Sequence, residues 1–521
     1  MPNSMAKSVP YNTPVLLVTA RVGDEESELA ALHQRPVQGV NTTHDTRHAT
    51  PPIMALNVEQ SPFFLQQKAK GEIVVKDPPK FDLESYIANY SGYTKIDRLH
   101  HIGAHSTYLA VDAYRLAIAE AKRGKNVELY TTLTEELSSI APDESAALTD
   151  TAWAERKSRE VREEHDRLEH ELKSYKNNLI KESIRMGNED LGHFYYDTGD
   201  FTNAQRAYMK MREHCTSPKH LSDMTLRLVY ATIAQKSWTN VLANLAKTDA
   251  TQLKGEEKAK LEPIITACTG LCQMATGSFR EAALTFIGTS AAYLTAEPAG
   301  GIKWQRDVIS ANDVAVYGGL CALAFMDRSE LQNKVLANSD FRNFLELEPH
   351  IRRAINLFCN SKYSACLEVL EGYRNDYLLD VYLSKVLNII YSRIRRKSIV
   401  QYFIPFSCVT LEEMASKFPA AEGRTIEDDL EEMINQRSLD ARIDLVDRLL
   451  ISPPSDPRYD VHTEALTMAE KYDHTLRLRL TRLNMLAANM EVQPNKSSDK
   501  GSGLGSGISD SFRNMGSKIG F

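Results

Sequence analysis

The 521-residue chain has no apolar run approaching the ~18 residues that a membrane-crossing helix needs. Its seven cysteines are scattered, odd in number and without framework spacing, which argues against a disulfide-built secreted domain and fits a reducing compartment. Positive charge is not in excess: 62 Lys and Arg face 69 Asp and Glu, and a net charge of -7 argues against a general polyanion binder. Met1 to Pro14 is polar and carries no charged-then-apolar leader. Catalytic signatures are missing too. There is no phosphate loop of the G-x-x-x-x-G-K-[ST] type, no G-x-S-x-G elbow, no H-E-x-x-H, no G-x-G-x-x-G, and no H-x-H of the kind an isopeptidase zinc site needs. The expectation is an intracellular, soluble protein that is not an enzyme and takes no cofactor or metal.

What is present is an ordinary globular composition, 42% hydrophobic and 25% charged, long enough for three or four units at ~150 residues each. Residues 1–79 mix nine prolines with polar stretches and read as a mostly disordered extension. Two apolar islands, Val15 to Val18 and Phe63 to Leu65, read as a local strand or chance hydrophobes, or as a short motif that orders on a partner. From Trp153 to Met186, Glu and Arg or Lys recur three and four apart, which predicts one long charged helix near 153–186. At 1.5 Å per residue it would run about 50 Å.

Repeats follow. DLGHFYYDTGDFTNAQRAY (190–208) places Leu191-Gly192, Tyr195, Gly199-Asp200-Phe201, Ala204 and Tyr208 where a tetratricopeptide unit has them. GLCQMATGSFREAALTF (270–286) is a weaker copy, with fainter echoes at Lys236-Ser237-Trp238 and Ser361-Lys362-Tyr363. One such unit cannot bury its apolar face, so several must stack, and 80–345 reads as a helical-repeat solenoid. His101 and His105, four apart, have metal spacing but no third ligand, and read as ordinary surface histidines. Cys268 and Cys272 read as small buried hydrophobes, and Met209 and Met211 as core.

Residues 346–455 read as a helical layer leading into three small helices and a two-stranded hairpin, a winged helix. Thr410 and Thr425 cap its second and third helices, with Glu413 as the capping-box partner of the first of them. Leu439, Ala441 and Ile443 alternate with Asp440, Arg442 and Asp444 as a half-buried strand. The third helix carries Glu427, Asp428, Asp429, Glu431 and Glu432, which would repel a duplex. Arg393, Arg395, Arg396 and Lys397 form the compact basic cluster. They are open to a nucleic acid or acidic partner, to pairing with that acidic helix, or to lying solvated at a helix end. Finally, Val461 to Met490 (helix 460–490) repeats apolar residues at helical spacing through Tyr472, Leu476, Leu480, Leu483 and Leu486. A terminal helix with no chain left to cover it is a candidate for intermolecular bundling. Residues 491–521 are a flexible Gly/Ser-rich tail.

A mainly α chain with a tetratricopeptide-like solenoid ending in a winged helix, plus a C-terminal helix, resembles the PCI family. Within it, FDLESYIANYSGYTKIDRLHHIGAHS, the 190–208 repeat and IYSRIRRKSIVQYFIPFSCVTLEEMASKF are similar to the subunit-1 family of the COP-nine signalosome. The proteasome lid's regulatory non-ATPase subunit seven shares the order of parts. The resemblance implies a non-catalytic scaffold in cytoplasm and nucleus. Its partners would be other PCI-domain subunits and, through the whole complex, cullin–RING ligases whose cullins lose Nedd8 at a zinc site in another subunit. Neither nucleic acid nor membrane is expected. The subunit interface would comprise Leu439, Ala441, Arg442, Ile443 and Asp444 at a strand edge, open to β-augmentation, and Tyr472, Leu476, Leu480, Leu483 and Leu486 on the last helix.

Overall fold

The computed structural model describes residues 60–249, 255–419, 425–453 and 457–488, together with Val58 and Met490. The expected 1–57 portion of the N-terminal extension, the island Val15 to Val18, and the tail beyond Met490 lie outside the described residues. The described residues are mainly helical, and one buried cluster runs from Val58 to Leu450.

The first helix, α1 (Pro62–Ala69), corrects the sequence reading at residues 60–79. Proline at its first position presets the helical φ, and Phe64 is completely buried against the later helices. Phe63 to Leu65 is therefore neither a strand nor a stray motif, and the folded body begins before residue 80. Long-range burial of one aromatic decides this, which local pattern cannot show.

Asp82 caps α2 (Leu83–Ile87) by accepting from the Ser85 amide. Next come α3 (Gly92–His105), α4 (Ala110–Ala121) and α5 (Val127–Ile140). The single long charged helix expected near 153–186 is two helices: α6 (Thr151–Asn177) and α7 (Lys181–Thr198), broken where Leu179 takes φ 54°. Asn177-Asn178 is a weak helical pair that tolerates the end of a helix. The break lets α7 fold back so that Leu172 meets Ile184 and Leu191 along a narrow seam.

The repeat region follows as α8 (Phe201–Met211), α9 (Pro218–Ala234), α10 (Trp238–Asp249), α11 (Gly255–Ala275) and α12 (Phe279–Ile287). In the pairs α7/α8 and α11/α12 a glycine lets the two helices approach closely. A Cβ at Gly192 would sit 2.3 Å from the Tyr208 ring, and one at Gly270 would sit 2.8 Å from the Phe286 ring. The fainter echoes share the same turn. Gly199, Lys236, Gly277 and Ser361 all have left-handed φ (89°, 58°, 88°, 61°), each two residues before its aromatic, Phe201, Trp238, Phe279 or Tyr363. At Lys236, Gly277 and Ser361 the amides close the Schellman pattern, for example Gly277 N to Met274 O and Ser278 N to Gln273 O. Met209 departs from expectation: it is exposed, while Met211 is core.

After α13 (Trp304–Asp307), α14 (Ala311–Phe325), α15 (Arg328–Glu330) and α16 (Ser339–Leu345), the layer next to the winged helix is built from α17 (Pro349–Cys359), α18 (Tyr363–Glu371), α19 (Arg374–Leu378) and α20 (Leu387–Phe403). The winged helix continues with β1 (Cys408–Thr410), α21 (Leu411–Lys417), α22 (Ile426–Asn435), β2 (Arg442–Asp444) and β3 (Leu449–Ile451). Its sheet has three strands, not the two of the expected hairpin. β3 is central and pairs antiparallel with β1 and β2, so that Val409, Leu450 and Ile443 lie in register. The last element among the described residues is α23 (Pro457–Ala487).

Candidate docking surfaces

The winged helix is organised from its caps. Thr425 accepts from the Asp428 amide while the Asp428 carboxylate accepts from the Thr425 amide, a complete capping box. Thr410 accepts from the Glu413 amide, but the Glu413 carboxylate does not return the bond; it accepts from the Tyr402 hydroxyl at 2.8 Å. With α22 so started, Ile426, Leu430 and Met433 fall on one buried face.

The acidic face of α22 then meets the basic cluster of α20. Arg395 Nη2 lies 2.9 Å from Asp429 Oδ2 and Arg396 Nη2 lies 2.6 Å from Glu432 Oε1. Arg396 also donates to Gln436 Oε1 at 2.7 Å. Of the readings left open for this cluster, intramolecular pairing holds for these two arginines. The helix that would enter a DNA groove spends two of its five carboxylates, Asp429 and Glu432, on its own neighbour. Arg393 and Lys397 project elsewhere.

Among the described residues β2 is an edge strand, hydrogen-bonded to β3 on one side alone. The expected interface residues divide there. Leu439 and Ala441 are buried and can offer a partner only backbone; Arg442 is exposed, and Ile443 and Asp444 are half-buried. Asp444 shapes the turn that follows, its Oδ1 accepting from the Val446 amide at 2.9 Å. That turn lifts Leu445 and Val446 into solvent, Val446 to 90% exposure. Sequence reasoning missed this apolar wing tip. The signal available was two apolar residues set between Asp444 and Asp447, where a turn is normally polar.

α23 spans 31 residues, about 46 Å at the α-helical rise. Tyr472, Leu476, Leu480 and Leu483 are all exposed, Leu480 and Leu483 at 58% and 60%, and Leu486 is half-buried. Leu478 and Met485 add to the uncovered apolar surface. A monomer rarely leaves such a contiguous patch in water.

Away from these surfaces lies a charge centre the sequence reading did not identify. Arg98 on α3, 1% exposed, donates to Asp313 Oδ2 at 2.8 Å and to Asp380 Oδ2 at 2.6 Å. Tyr317 donates to the same Asp380 carboxylate, and Tyr90 donates to Asp313 Oδ1 at 2.8 Å. Burial pushes both carboxyls up. At Asp380, Arg98 and the amides of Leu383 and Tyr382 outweigh burial and hold it below its ordinary value, whereas Asp313 stays raised. A cavity of about 310 Å³ opens beside Tyr90, Asp313, Tyr317 and Asp380, and the network itself joins segments far apart in sequence.

The histidine and cysteine pairs are structural. The His101 and His105 rings lie tilted against each other with centroids 4.0 Å apart, and His105 Nδ1 donates to the His101 carbonyl at 2.9 Å. Cys268 and Cys272 are fully buried, and burial pushes both thiols up, Cys272 to about 12. Among the described residues, no group of three or more His, Cys, Asp or Glu is placed to hold a metal ion, and no helix is long and apolar enough to cross a membrane.

A helical-repeat array ending in a three-stranded winged helix defines the PCI class, and the PCI domain family model matches residues 370–454. The family model described as 26S proteasome subunit RPN7 matches residues 150–334. The chain is 49% identical to COP9 signalosome complex subunit 1 of Emericella nidulans, over 81% of this chain and 85% of that protein. It is 36% identical to the Arabidopsis thaliana protein of the same name, over 78% of this chain and 90% of that one. Likeness to the rice 26S proteasome non-ATPase regulatory subunit 6 is weaker, 25% over 36% of this chain and 46% of that protein. The chain belongs to the COP9 signalosome subunit 1 family.

Proposed function

We propose that this chain is a non-catalytic scaffold subunit of the COP9 signalosome. In that role it supports removal of Nedd8 from the cullins of cullin–RING ubiquitin ligases, in cytoplasm and nucleus, by holding other PCI subunits in place. The observation that carries the reading is α23, a helix long enough for a bundle whose leucines lie open along its length. The free edge of β2, with the apolar tip Leu445-Val446 beside it, supplies a second surface of suitable kind for lateral strand pairing. Family membership supports the choice of complex, and the absence of catalytic motifs in the sequence supports a role without turnover.

The test is co-purification of the tagged full chain with identification of its companions. Signalosome PCI subunits are expected; recovery of proteasome-lid subunits instead would replace the reading with its nearest rival. A nucleic-acid role is disfavoured by the pairing of Arg395 and Arg396 with Asp429 and Glu432.

A further inference from the structure

The basic cluster of α20 is divided between two faces of one helix. Arg395 and Arg396 turn to α22, whereas Arg393, Lys397 and Gln401, each four residues apart, lie on a common face. That face lines a cavity of about 480 Å³ whose opposite wall is the end of α14, α15 and the turn after it, including Phe325, Arg328, Ser329 and Gln332. A water's share of liquid is ~30 Å³, so the cavity holds a group much larger than one solvent molecule.

Three cations therefore border one polar cavity without a matching set of anions. Among the described residues, none of Arg328, Arg393 and Lys397 forms an ion pair. Arg328 donates to the Cys359 carbonyl, Lys397 donates to the Leu323 carbonyl at 2.8 Å and to the Met326 carbonyl, and Arg393 lies over the Phe325 ring. The carboxylate lining the cavity, Asp327, is engaged in a capping box with Glu330, and Glu330 pairs with Arg280 and Lys334. Like charges four apart on a helix, Arg393 and Lys397, repel. Lys397 capping the C-terminal carbonyls of α14 accounts for that residue's position. It does not account for two arginines brought to the same cavity.

We propose that this cavity binds a small polyphosphate anion. Arginine forks and a lysine point charge suit phosphoryl oxygens, and the Ser329 hydroxyl with the Gln332 and Gln401 amides adds neutral donors around them. A nucleic-acid backbone is a poorer fit, because the neighbouring arginines that would extend a basic track are already paired.

Inorganic tripolyphosphate titrated calorimetrically into the full-length protein tests this. Saturable one-to-one binding is expected, weakened at least tenfold by Arg393→Glu and unchanged by Arg396→Ala on the opposite face. Arg393 is exposed, so its substitution leaves folding intact, as circular dichroism would verify; Lys397→Met should weaken binding further if that variant folds. The proposal is overturned if the wild type shows no binding at millimolar tripolyphosphate, if Arg393→Glu binds as well as wild type, or if citrate binds equally tightly.

Discussion

Arg98 and Asp380 are 282 positions apart in the chain, yet Arg98 Nη1 lies 2.6 Å from Asp380 Oδ2 in the interior. With Asp313 on the other fork, this contact binds α3 at once to α14 and to the segment before α20. A solenoid of nearest-neighbour repeats would not need such a contact. Here it fastens the first helices to the layer that carries the winged helix.

Removing the guidanidinium leaves two buried carboxyls without their cation. Arg98→Met should therefore destabilise the protein by about 3–5 kcal/mol, the usual cost of breaking a buried pair from one side. Chemical denaturation checks this. An unchanged midpoint would show the network to be incidental.

The four shared turns make opposite predictions for glycine. Ser361→Gly and Lys236→Gly relieve a side chain held at left-handed φ, and each should raise stability by ~0.5–1 kcal/mol. Gly277→Ala should cost about 1 kcal/mol, since a Cβ there meets nothing within 4 Å and φ alone is penalised. Gly199→Ala should cost more, because its Cβ would lie 2.2 Å from Asn126 Nδ2. Thermal unfolding of the four variants gives the order.

Acid should weaken the fold through two histidines. Burial, with help from His105, pulls His101 down to about 3, and burial with Lys80 nearby pulls His350 down to about 4. Both stay neutral in the folded chain, while the unfolded chain binds their protons below ~6.5. Stability is then fully present above pH ~6.5 and falls as pH drops towards these folded values. His101→Gln should flatten that fall; an unaltered pH profile would refute the assignment.

Much of this architecture was legible in the sequence because it is written locally. The Gly199-Asp200-Phe201 turn, the Thr425 cap and the apolar face of α22 each follow from residues within a few positions of one another. What was hidden depends on distant partners. Arg98 sits beside the apolar stripe Ile96, Leu99 and Ile102, and nothing nearby announces two aspartates more than two hundred residues on. The break at Leu179 was obscured by the continuous charge pattern around it. At the candidate interface the alternation of Leu439 and Ala441 with Asp440 and Arg442 was legible, and it is the same alternation that buries the Leu439 and Ala441 side chains and leaves Arg442 exposed.

The two proposed surfaces should act separately. Leu445→Asp with Val446→Asp alters an exposed wing tip and should weaken lateral contacts while leaving the unfolding temperature within ~2 °C of wild type, since surface changes usually cost under ~0.5 kcal/mol. Pull-down with the isolated neighbouring PCI subunits reads this directly.

The most direct test is size-exclusion fractionation of cell extract containing the wild-type chain or a Leu480→Asp, Leu483→Asp variant, followed by identification of co-eluting subunits. The wild type should elute in a large assembly with other PCI subunits, and the variant, equally folded, should elute outside it. A wild-type chain eluting alone, or a variant fully retained in the assembly, would contradict the scaffold account.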